Sequence, residues 1–217
     1  MTVQDKQKAL KVLNNKLAMD TSLPLKATAT NDVPGEGSPE AEILFVGEAP
    51  GAREDALGRP FVGAAGKFLD ELIASIGLKR ADIFIANLIK HRPPGNRDPL
   101  PEEIEAYAPY LEKQMSIIEP KIIVTLGRHS MQYFLGEGLS ISKIHGQPKR
   151  RNGRIVMPMY HPAAALYSGN LRPVLKADFA KLPKVIKLLE KGEDLQLVET
   201  PAVSEKQKAA ESQQSLL

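Results

Sequence analysis

The 217-residue chain contains no cysteine. Without a thiol it can form no disulfide bond, no thiolate nucleophile, no cysteine-bound zinc site and no thiolate-held iron–sulfur cluster. A run of eighteen apolar residues is also missing, and the N-terminal segment is polar and charged. We therefore expect neither a membrane span nor a secretory signal, and we assign the protein to the cytoplasm.

Two nucleotide-binding patterns are absent as well, G-x-G-x-x-G and the Walker A sequence. The four histidines show no spacing typical of metal ligands, so we predict no metal site. The excess of positive charge is small, with 29 Lys and Arg against 26 Asp and Glu. A net charge of +3 does not identify a polyanionic partner, so the distribution of the charges has to decide.

Short apolar runs alternate with segments of helical periodicity. The runs predict buried strands at 41–46, 83–86, 121–126 and 155–158. The periodic segments predict helices at 4–19, 65–76, 101–118, 128–135 and about 174–191, and Pro173 and Pro183 imply that the last helix is broken or starts late. Residues 20–39 have no helical period and are predicted to form an irregular connection. Such alternation is typical of βαβ units. We therefore predict an α/β fold with a small, mostly parallel central sheet that helices cover on both sides.

Composition divides the chain into three parts. Residues 1–19 are predicted to form an N-terminal helix, and residues 20–191 form the main domain. Residues 192–217 are rich in Glu, Gln, Lys, Ser and Ala and contain few large apolar side chains. We predict that this last part is a disordered tail.

Unusual sequences follow the predicted strands, and the carboxyl ends of parallel strands meet at one edge of a sheet. The connection 47–66 is rich in glycine and also holds Glu48, Glu54 and Phe61. Glycine at that density permits the backbone to approach a flat ligand closely. We interpret this connection as a long binding loop with Phe61 outside the core, and the alternative is a plain solvated loop.

Two polar side chains end other strands of the predicted sheet. Asn87 offers a donor and an acceptor side by side, which matches the imide edge of a pyrimidine. His161 stands before Pro162 at the end of the fourth strand. The alternatives are an asparagine that serves as a turn or cap and a histidine that bonds a loop carbonyl.

Basic residues are clustered. Five of them lie within twelve residues that contain no acid: Lys143, Lys149, Arg150, Arg151 and Arg154. The pair Asn152-Gly153 between them predicts a β-hairpin turn. Four more are expected at the edge of the sheet that carries the loops: Lys90, Arg92, Arg97 and Arg128. This pattern favours a nucleic-acid-binding face, and the alternative is a solvated hairpin.

Over about residues 20–191 the chain resembles family 4 uracil-DNA glycosylases. The matching segments are GEAPG at 47–51, Glu54-Asp55, GRPFVGAAG at 58–66, Asn87, KHRPPGNRDP at 90–99 and HPAA at 161–164. The resemblance implies a three-layer α/β/α fold and hydrolysis of the bond between uracil and deoxyribose in DNA. The implied substrate is uracil-containing DNA, single- or double-stranded, bound by a monomer.

The resemblance also implies roles for individual residues. Phe61 would stack on a flipped-out base, Asn87 would bind the pyrimidine edge, and Glu48 would crowd a thymine methyl group. His161 would donate to the uracil oxygen. Ala49 stands where better-known uracil glycosylases carry a catalytic aspartate, so Glu54 and Asn96 are both candidates for holding the water. Contacts to the DNA backbone are assigned to Lys149, Arg150, Arg151 and Arg172.

One departure from the family is large. Family 4 enzymes generally hold a four-iron, four-sulfur cluster with four cysteines, and the matching positions here are Asp20, Leu23, His91 and Tyr107. No thiolate remains, so we expect no cluster and no other cofactor. Two alternative functions stay open, a glycosylase for a different damaged base and a DNA-binding relative without catalysis.

Overall fold

Apolar segments pair into one six-stranded sheet in the computed structural model, which describes residues 1–191. The strands are β1 (Glu36–Gly37), β2 (Ile43–Gly47), β3 (Phe84–Asn87), β4 (Ile122–Leu126), β5 (Lys149–Arg151) and β6 (Arg154–Met159). Their order is β1-β3-β2-β4-β6-β5, with the four central strands parallel and the two edge strands antiparallel. The predicted tail, 192–217, lies outside the described residues.

Helices cover both faces of this sheet. One face packs against α1 (Val3–Met19), α4 (Pro101–Ile118) and α5 (Arg128–Leu135). The other face packs against α3 (Ala64–Ser75), α8 (Leu171–Phe179) and α9 (Leu182–Glu190). Because side chains alternate along a strand, Leu44 enters the first core and Phe45 the second. The predicted three-layer α/β/α fold is confirmed.

Helix boundaries follow local signals in the sequence. The hydroxyl of Thr2 accepts from the Asp5 amide and caps α1, and Pro101 begins α4 at a position where its missing N–H costs nothing. Gly136 follows the last residue of α5 with φ of 89°. The predicted hairpin is also confirmed, because Asn152 and Gly153 have φ of 50° and 74° between β5 and β6.

Three sequence-based expectations need correction. The connection 47–66 is not a plain loop, since it contains the helix α2 (Ala52–Leu57), which ends at the left-handed Gly58. The final helical segment starts at Leu171 and not near 174, and it is broken into α8 and α9, with Pro183 in the first turn of α9. The irregular connection after α1 includes the edge strand β1. Two short α-helices, α6 (Ile141–Ile144) and α7 (Ala164–Tyr167), and two 3-10 helices at Arg80–Asp82 and Pro94–Asn96 complete the described chain.

The strand order creates a crevice at the carboxyl end of β2. From β2, the chain passes to β3 on one side, and β4 then pairs with the other side of β2. Such a change of direction is where open α/β sheets bind ligands. None of the helices within residues 1–191 is both long and apolar enough to cross a bilayer.

Candidate active site

A cleft of about 610 Å³ opens at the carboxyl edge of the sheet. All seven residues that were assigned to catalysis or to base binding line it: Glu48, Ala49, Glu54, Phe61, Asn87, Asn96 and His161. They come from the ends of β2, β3 and β6, from α2 and from the segment before α4. The fold therefore brings together residues that are more than a hundred positions apart in the sequence.

Asn87 lies at the base of the cleft with 2% of its surface exposed. Within the described chain its Oδ1 is buried and has no hydrogen-bond partner. A buried acceptor without a donor costs free energy, about 1–3 kcal/mol in typical cases. Such an atom is prepared to accept a hydrogen bond from a ligand that enters the cleft.

Phe61 is buried, which corrects the expectation that it lies outside the core. One face of its ring meets the ring of His161 with the centroids 5.5 Å apart. Its φ of 51° is in the left-handed region, which is uncommon for an aromatic residue. The Arg80 guanidinium donates to the carbonyls of Phe61 and Pro60 and holds this conformation.

Glu54 fixes the loop that carries Phe61. Its Oε1 accepts from the backbone amides of Val62 and Gly63, both at 3.0 Å. Within residues 1–191 its second oxygen, Oε2, makes no hydrogen bond, and the side chain lines the cleft. One carboxylate oxygen is thus structural and the other is available to a ligand or a water molecule.

His161 is a neutral hydrogen-bond donor at ordinary pH. Burial lowers the pKa of its imidazole to about 4, although the nearby Glu54 carboxylate acts in the opposite direction. Its Nδ1 accepts from the Ala163 amide at 3.1 Å. The single proton of the neutral ring therefore lies on Nε2, which leaves an N–H donor for a ligand.

Glu48 is held beside the cleft by the start of α5. Its Oε1 accepts from the His129 amide at 2.8 Å, and burial raises the pKa of its carboxyl group. Asp98, His129 and Glu48 each bring one potential metal ligand within 4.8 Å of the others. The Arg128 guanidinium lies 3.4 Å from Asp98 and 3.2 Å from the ring of His129. A cation in this position competes with a metal ion, so the arrangement favours an ion-pair network.

Asn96 lies at the exposed rim of the cleft. It occupies a short turn with φ of 56°, and its Oδ1 accepts from Arg92 at 2.7 Å. Ala49 follows Glu48 in the chain and contributes only a methyl group to the cleft. The acceptor atom of Asn96 is therefore already occupied, unlike Oε2 of Glu54.

The residues assigned to the DNA backbone do not line the cleft. The turn of the basic hairpin precedes β6, whereas His161 follows it, so the whole strand lies between them, a length of about 17 Å from Arg154 to Met159 at a rise of roughly 3.3 Å per residue. Arg172 stacks over Phe68 with its guanidinium 4.4 Å from the ring centre. The described structure therefore does not bring Lys149, Arg150, Arg151 or Arg172 together with the catalytic candidates.

Two of the basic residues that were expected on a DNA-binding face, Lys90 and Arg154, are not free, solvent-exposed cations. Lys90 is fully buried, so it cannot contact a DNA phosphate from this position. Arg154 is paired with both carboxylate oxygens of Glu112, at 3.0 and 2.6 Å. The hairpin segment contains no acidic residue of its own, but in the fold its Arg154 is paired with Glu112 of α4.

At the four positions that match the family's cluster ligands, polar side chains make hydrogen bonds and Leu23 packs in the core. The ring nitrogens of His91 bond the Tyr107 hydroxyl at 2.5 Å and the Asp32 carboxylate at 2.6 Å. Asp20 accepts from the Tyr110 hydroxyl at 2.6 Å, and Leu23 is buried among apolar side chains. His91 and Tyr107 are bonded to each other, Asp20 is bonded to Tyr110, and none of the four residues carries a sulfur ligand, so they do not fit an iron–sulfur cluster.

One aromatic residue at the cleft was missed by the sequence reasoning. Tyr167 ends α7 at the mouth of the cleft with 93% of its surface exposed. An exposed aromatic side chain in this position is suited to contact a flat base. Nothing in the sequence marks it, because exposure depends on how α7 packs.

Known proteins share this sequence pattern. The family model of the uracil DNA glycosylase superfamily matches residues 34–182. A type-4 uracil-DNA glycosylase of Sulfurisphaera tokodaii is 57% identical over 162 residues, covering 70% of this chain and 74% of the relative. One from Thermotoga maritima is 40% identical over 186 residues, covering 84% and 97%. A type-5 enzyme of Thermus thermophilus is 36% identical over 118 residues, covering 48% and 53%.

Proposed function

The chain belongs to the uracil-DNA glycosylase superfamily, and we propose that its cleft hydrolyses the N-glycosidic bond between uracil and deoxyribose in DNA. The product is an abasic site, the first intermediate of base excision repair. One observation carries this proposal most strongly, the buried Oδ1 of Asn87, which has no hydrogen-bond partner among residues 1–191. This oxygen can accept a hydrogen bond from a ligand, and the N3–H group of uracil is a suitable donor.

Recognition of uracil follows from the two edges of the Asn87 carboxamide. Uracil presents an N3–H donor to Oδ1 and an O4 acceptor to the amide nitrogen. Cytosine reverses both groups, so it would place an acceptor against an acceptor in a buried site. A site built around a buried polar group rejects such a mismatch far more strongly than an apolar pocket does. Glu48 beside Ala49 narrows the cleft where thymine carries its methyl group.

The cleavage step is divided between His161 and Glu54. Water attacks C1′ of the sugar, the bond from C1′ to N1 breaks, and the electron pair stays on the uracil as an anion. The Nε2–H of neutral His161 donates to the developing charge on the uracil oxygen. The free Oε2 of Glu54 accepts the proton of the water. We assign the water to Glu54 rather than Asn96 because the acceptor of Asn96 is already bonded to Arg92.

Phe61 and Tyr167 supply aromatic surfaces at two depths. Phe61 lies within the cleft against the ring of His161, and it is proposed to stack on the flipped base there. Tyr167 stands at the mouth, where the unstacked neighbours of that base would lie. The proposed substrate includes single- and double-stranded DNA, the proposed active form is a monomer, and the enzyme is proposed to work without a cofactor.

Release of free uracil from a synthetic oligonucleotide tests the function. Purified protein is incubated with single-stranded DNA that contains one uracil, and alkali then cleaves the strand at abasic sites. We expect cleavage with the uracil strand and none with the matched cytosine or thymine strand. Asn87→Ala and His161→Ala should each lower the single-turnover rate by about a hundredfold or more while the melting temperature stays nearly unchanged. No cleavage by the unmodified protein would refute the proposal.

A further inference from the structure

Lys90 is a buried lysine with no acidic partner in the described structure. Its side chain has no exposed surface, and its ammonium donates to the carbonyl of Asn87 at 2.7 Å and to Oε1 of Gln114 at 2.9 Å. Burying an ammonium or amine group in an apolar interior costs free energy unless the group is hydrogen-bonded. Simple packing in this position would be served by an apolar side chain.

The contacts of Lys90 connect the uracil-binding residue to the body of the protein. Gln114 lies in the middle of α4 with 2% of its surface exposed, and its amide donates to the carbonyl of Pro34 at 2.6 Å. The carbonyl of Lys90 accepts from the amide of Val33 at 2.8 Å. The last residue of β3 is thus tied to α4 and to the segment that precedes β1.

We propose that Lys90 is a positioning residue for uracil excision, which holds the main chain of Asn87 so that its carboxamide faces the cleft. The inference rests on the proposed function. Asn87 is the last residue of β3, and the amides of Leu88 and Ile89 beyond it donate to the carbonyls of Gly47 and Glu48. These bonds hold the chain on the side of β2, and the ammonium of Lys90 holds the carbonyl of Asn87 itself.

This role explains why a lysine occupies a position whose partners, the Asn87 carbonyl and the Gln114 amide, are uncharged. A backbone carbonyl can accept hydrogen bonds, so a donor from another part of the chain can fix its position. A lysine three positions later can reach back to it and still reach α4. Small displacements of a positioned group, of about 1 Å, can lower rates by about a hundredfold. The anchor would then act on the rate of excision and not on the affinity for DNA.

The test compares Lys90→Met with Lys6→Met as a matched control. Lys6 is the other buried lysine of the described chain, and it donates to the carbonyl of Ile118 at the far end of α4. We expect Lys90→Met to lower the single-turnover excision rate by about ten- to a hundredfold. Its affinity for uracil-free DNA should stay within about twofold of the parent, and inhibition by free uracil should weaken. Lys6→Met should keep the parent rate even where it lowers the melting temperature.

Two further variants separate positioning from stability. In Lys90→Met/Gln114→Leu both side chains become apolar, so Oε1 of Gln114 is no longer left buried without its donor, as it would be in Lys90→Met alone. This variant should melt no lower than Lys90→Met and still excise slowly. Gln114→Glu keeps an acceptor for the ammonium but removes the donor to the Pro34 carbonyl, so we expect it to melt at a lower temperature and still excise within about threefold of the parent. It provides the test if neither variant that carries Lys90→Met folds.

The outcomes separate this proposal from the proposed function. A parent-like excision rate in a folded Lys90→Met or double variant would overturn the positioning role while the glycosylase activity stands. A loss in Gln114→Glu as large as that expected for Lys90→Met would also overturn it. If the unmodified protein releases no uracil at all, the function and this inference fail together.

Discussion

Gly47 and Asn87 lie opposite each other at the carboxyl ends of the adjacent parallel strands β2 and β3. The space that a side chain on Gly47 would fill is already taken by the Asn87 carboxamide and the Phe61 ring. Glycine is therefore required here by close approach and not by backbone conformation. This relationship joins the first motif of the chain to the residue that is proposed to bind uracil.

Replacing Gly47 by alanine should disable the cleft. The added Cβ would overlap Asn87 Oδ1 and lie 2.7 Å from the Phe61 ring, so the carboxamide has to move. We expect single-turnover excision to fall by about a hundredfold, as for other displacements of a positioned group. Gly169→Ala is the control, because a Cβ there meets no atom within 4 Å. A Gly47→Ala protein with the parent rate would contradict the packing of these three residues.

The protonation of His161 gives a prediction about pH. Its pKa of about 4 lies below that of an unfolded histidine, about 6.5. Between these values the unfolded chain binds a proton that the folded protein excludes, so stability falls as the pH is lowered through this window. We expect nitrogen NMR of the imidazole to show a neutral ring with its proton on Nε2 at pH 6. His161→Gln should lose this part of the pH dependence, and a ring that titrates near pH 6.5 would argue against the assignment.

Much of the fold could be predicted from local signals. Pro101 marks the start of α4, Gly136 the end of α5, and Asn152-Gly153 the hairpin, because each signal acts through the conformation of its own backbone. The strands were found because both faces of a central parallel strand are buried. The short helix α2 was missed, since six residues between glycines carry too few positions to show a helical period.

The site was predicted less completely than the fold. Sequence order gave the residues at the strand ends, and the parallel sheet brings Glu48, Asn87 and His161 to one cleft. The burial of individual side chains could not be predicted from sequence order. Phe61 and Lys90 each stand in a polar, glycine-rich or basic segment, yet tertiary packing buries both. The pairing of Arg154 with Glu112 joins residues 42 positions apart, which no local pattern shows.

Tyr167 should affect double-stranded substrates more than single strands. Flipping a base out of a duplex leaves a gap that an exposed aromatic side chain at the mouth of the cleft can fill. Stacking on a base contributes about 1–3 kcal/mol, which corresponds to an effect of about fivefold to somewhat over a hundredfold. We expect Tyr167→Ala to slow excision from a duplex by about tenfold and from a single strand by less. Val12→Ala, also exposed but on α1, is the control. Equal losses of the excision rate on both substrates would show that Tyr167 does not fill the gap that the flipped base leaves in the duplex.

Iron should be absent from the active protein. His91 bonds Asp32 and Tyr107, and Asp20 bonds Tyr110, so the positions of the family's cluster ligands are occupied by their own hydrogen bonds. We expect a colourless preparation with no stoichiometric iron by elemental analysis. Excision should be unchanged after treatment with a chelator. Activity that a chelator removes and added metal restores would overturn this expectation.

The basic hairpin offers a test of where DNA runs beyond the cleft. Lys149, Arg150 and Arg151 are proposed to contact phosphates, although their strand leads away from His161. Each lost phosphate contact should reduce the slope of log affinity against log salt by about 0.9 on duplex DNA and 0.7 on a single strand. Replacing all three by alanine should therefore weaken binding to any DNA and flatten this slope. Excision at saturating DNA and the preference for uracil over cytosine should not change.

A charge-matched variant decides whether that effect comes from contacts or from net charge. Lys8, Lys11 and Lys16 are exposed on α1, so replacing them by alanine removes the same three charges from another surface. If the hairpin meets phosphates, only the hairpin variant flattens the salt dependence. Equal changes in both variants would mean that the hairpin acts only through the net charge of the protein. An unchanged slope in the hairpin variant would place the DNA elsewhere, with exposed Arg128 beside the cleft as the next residue to replace.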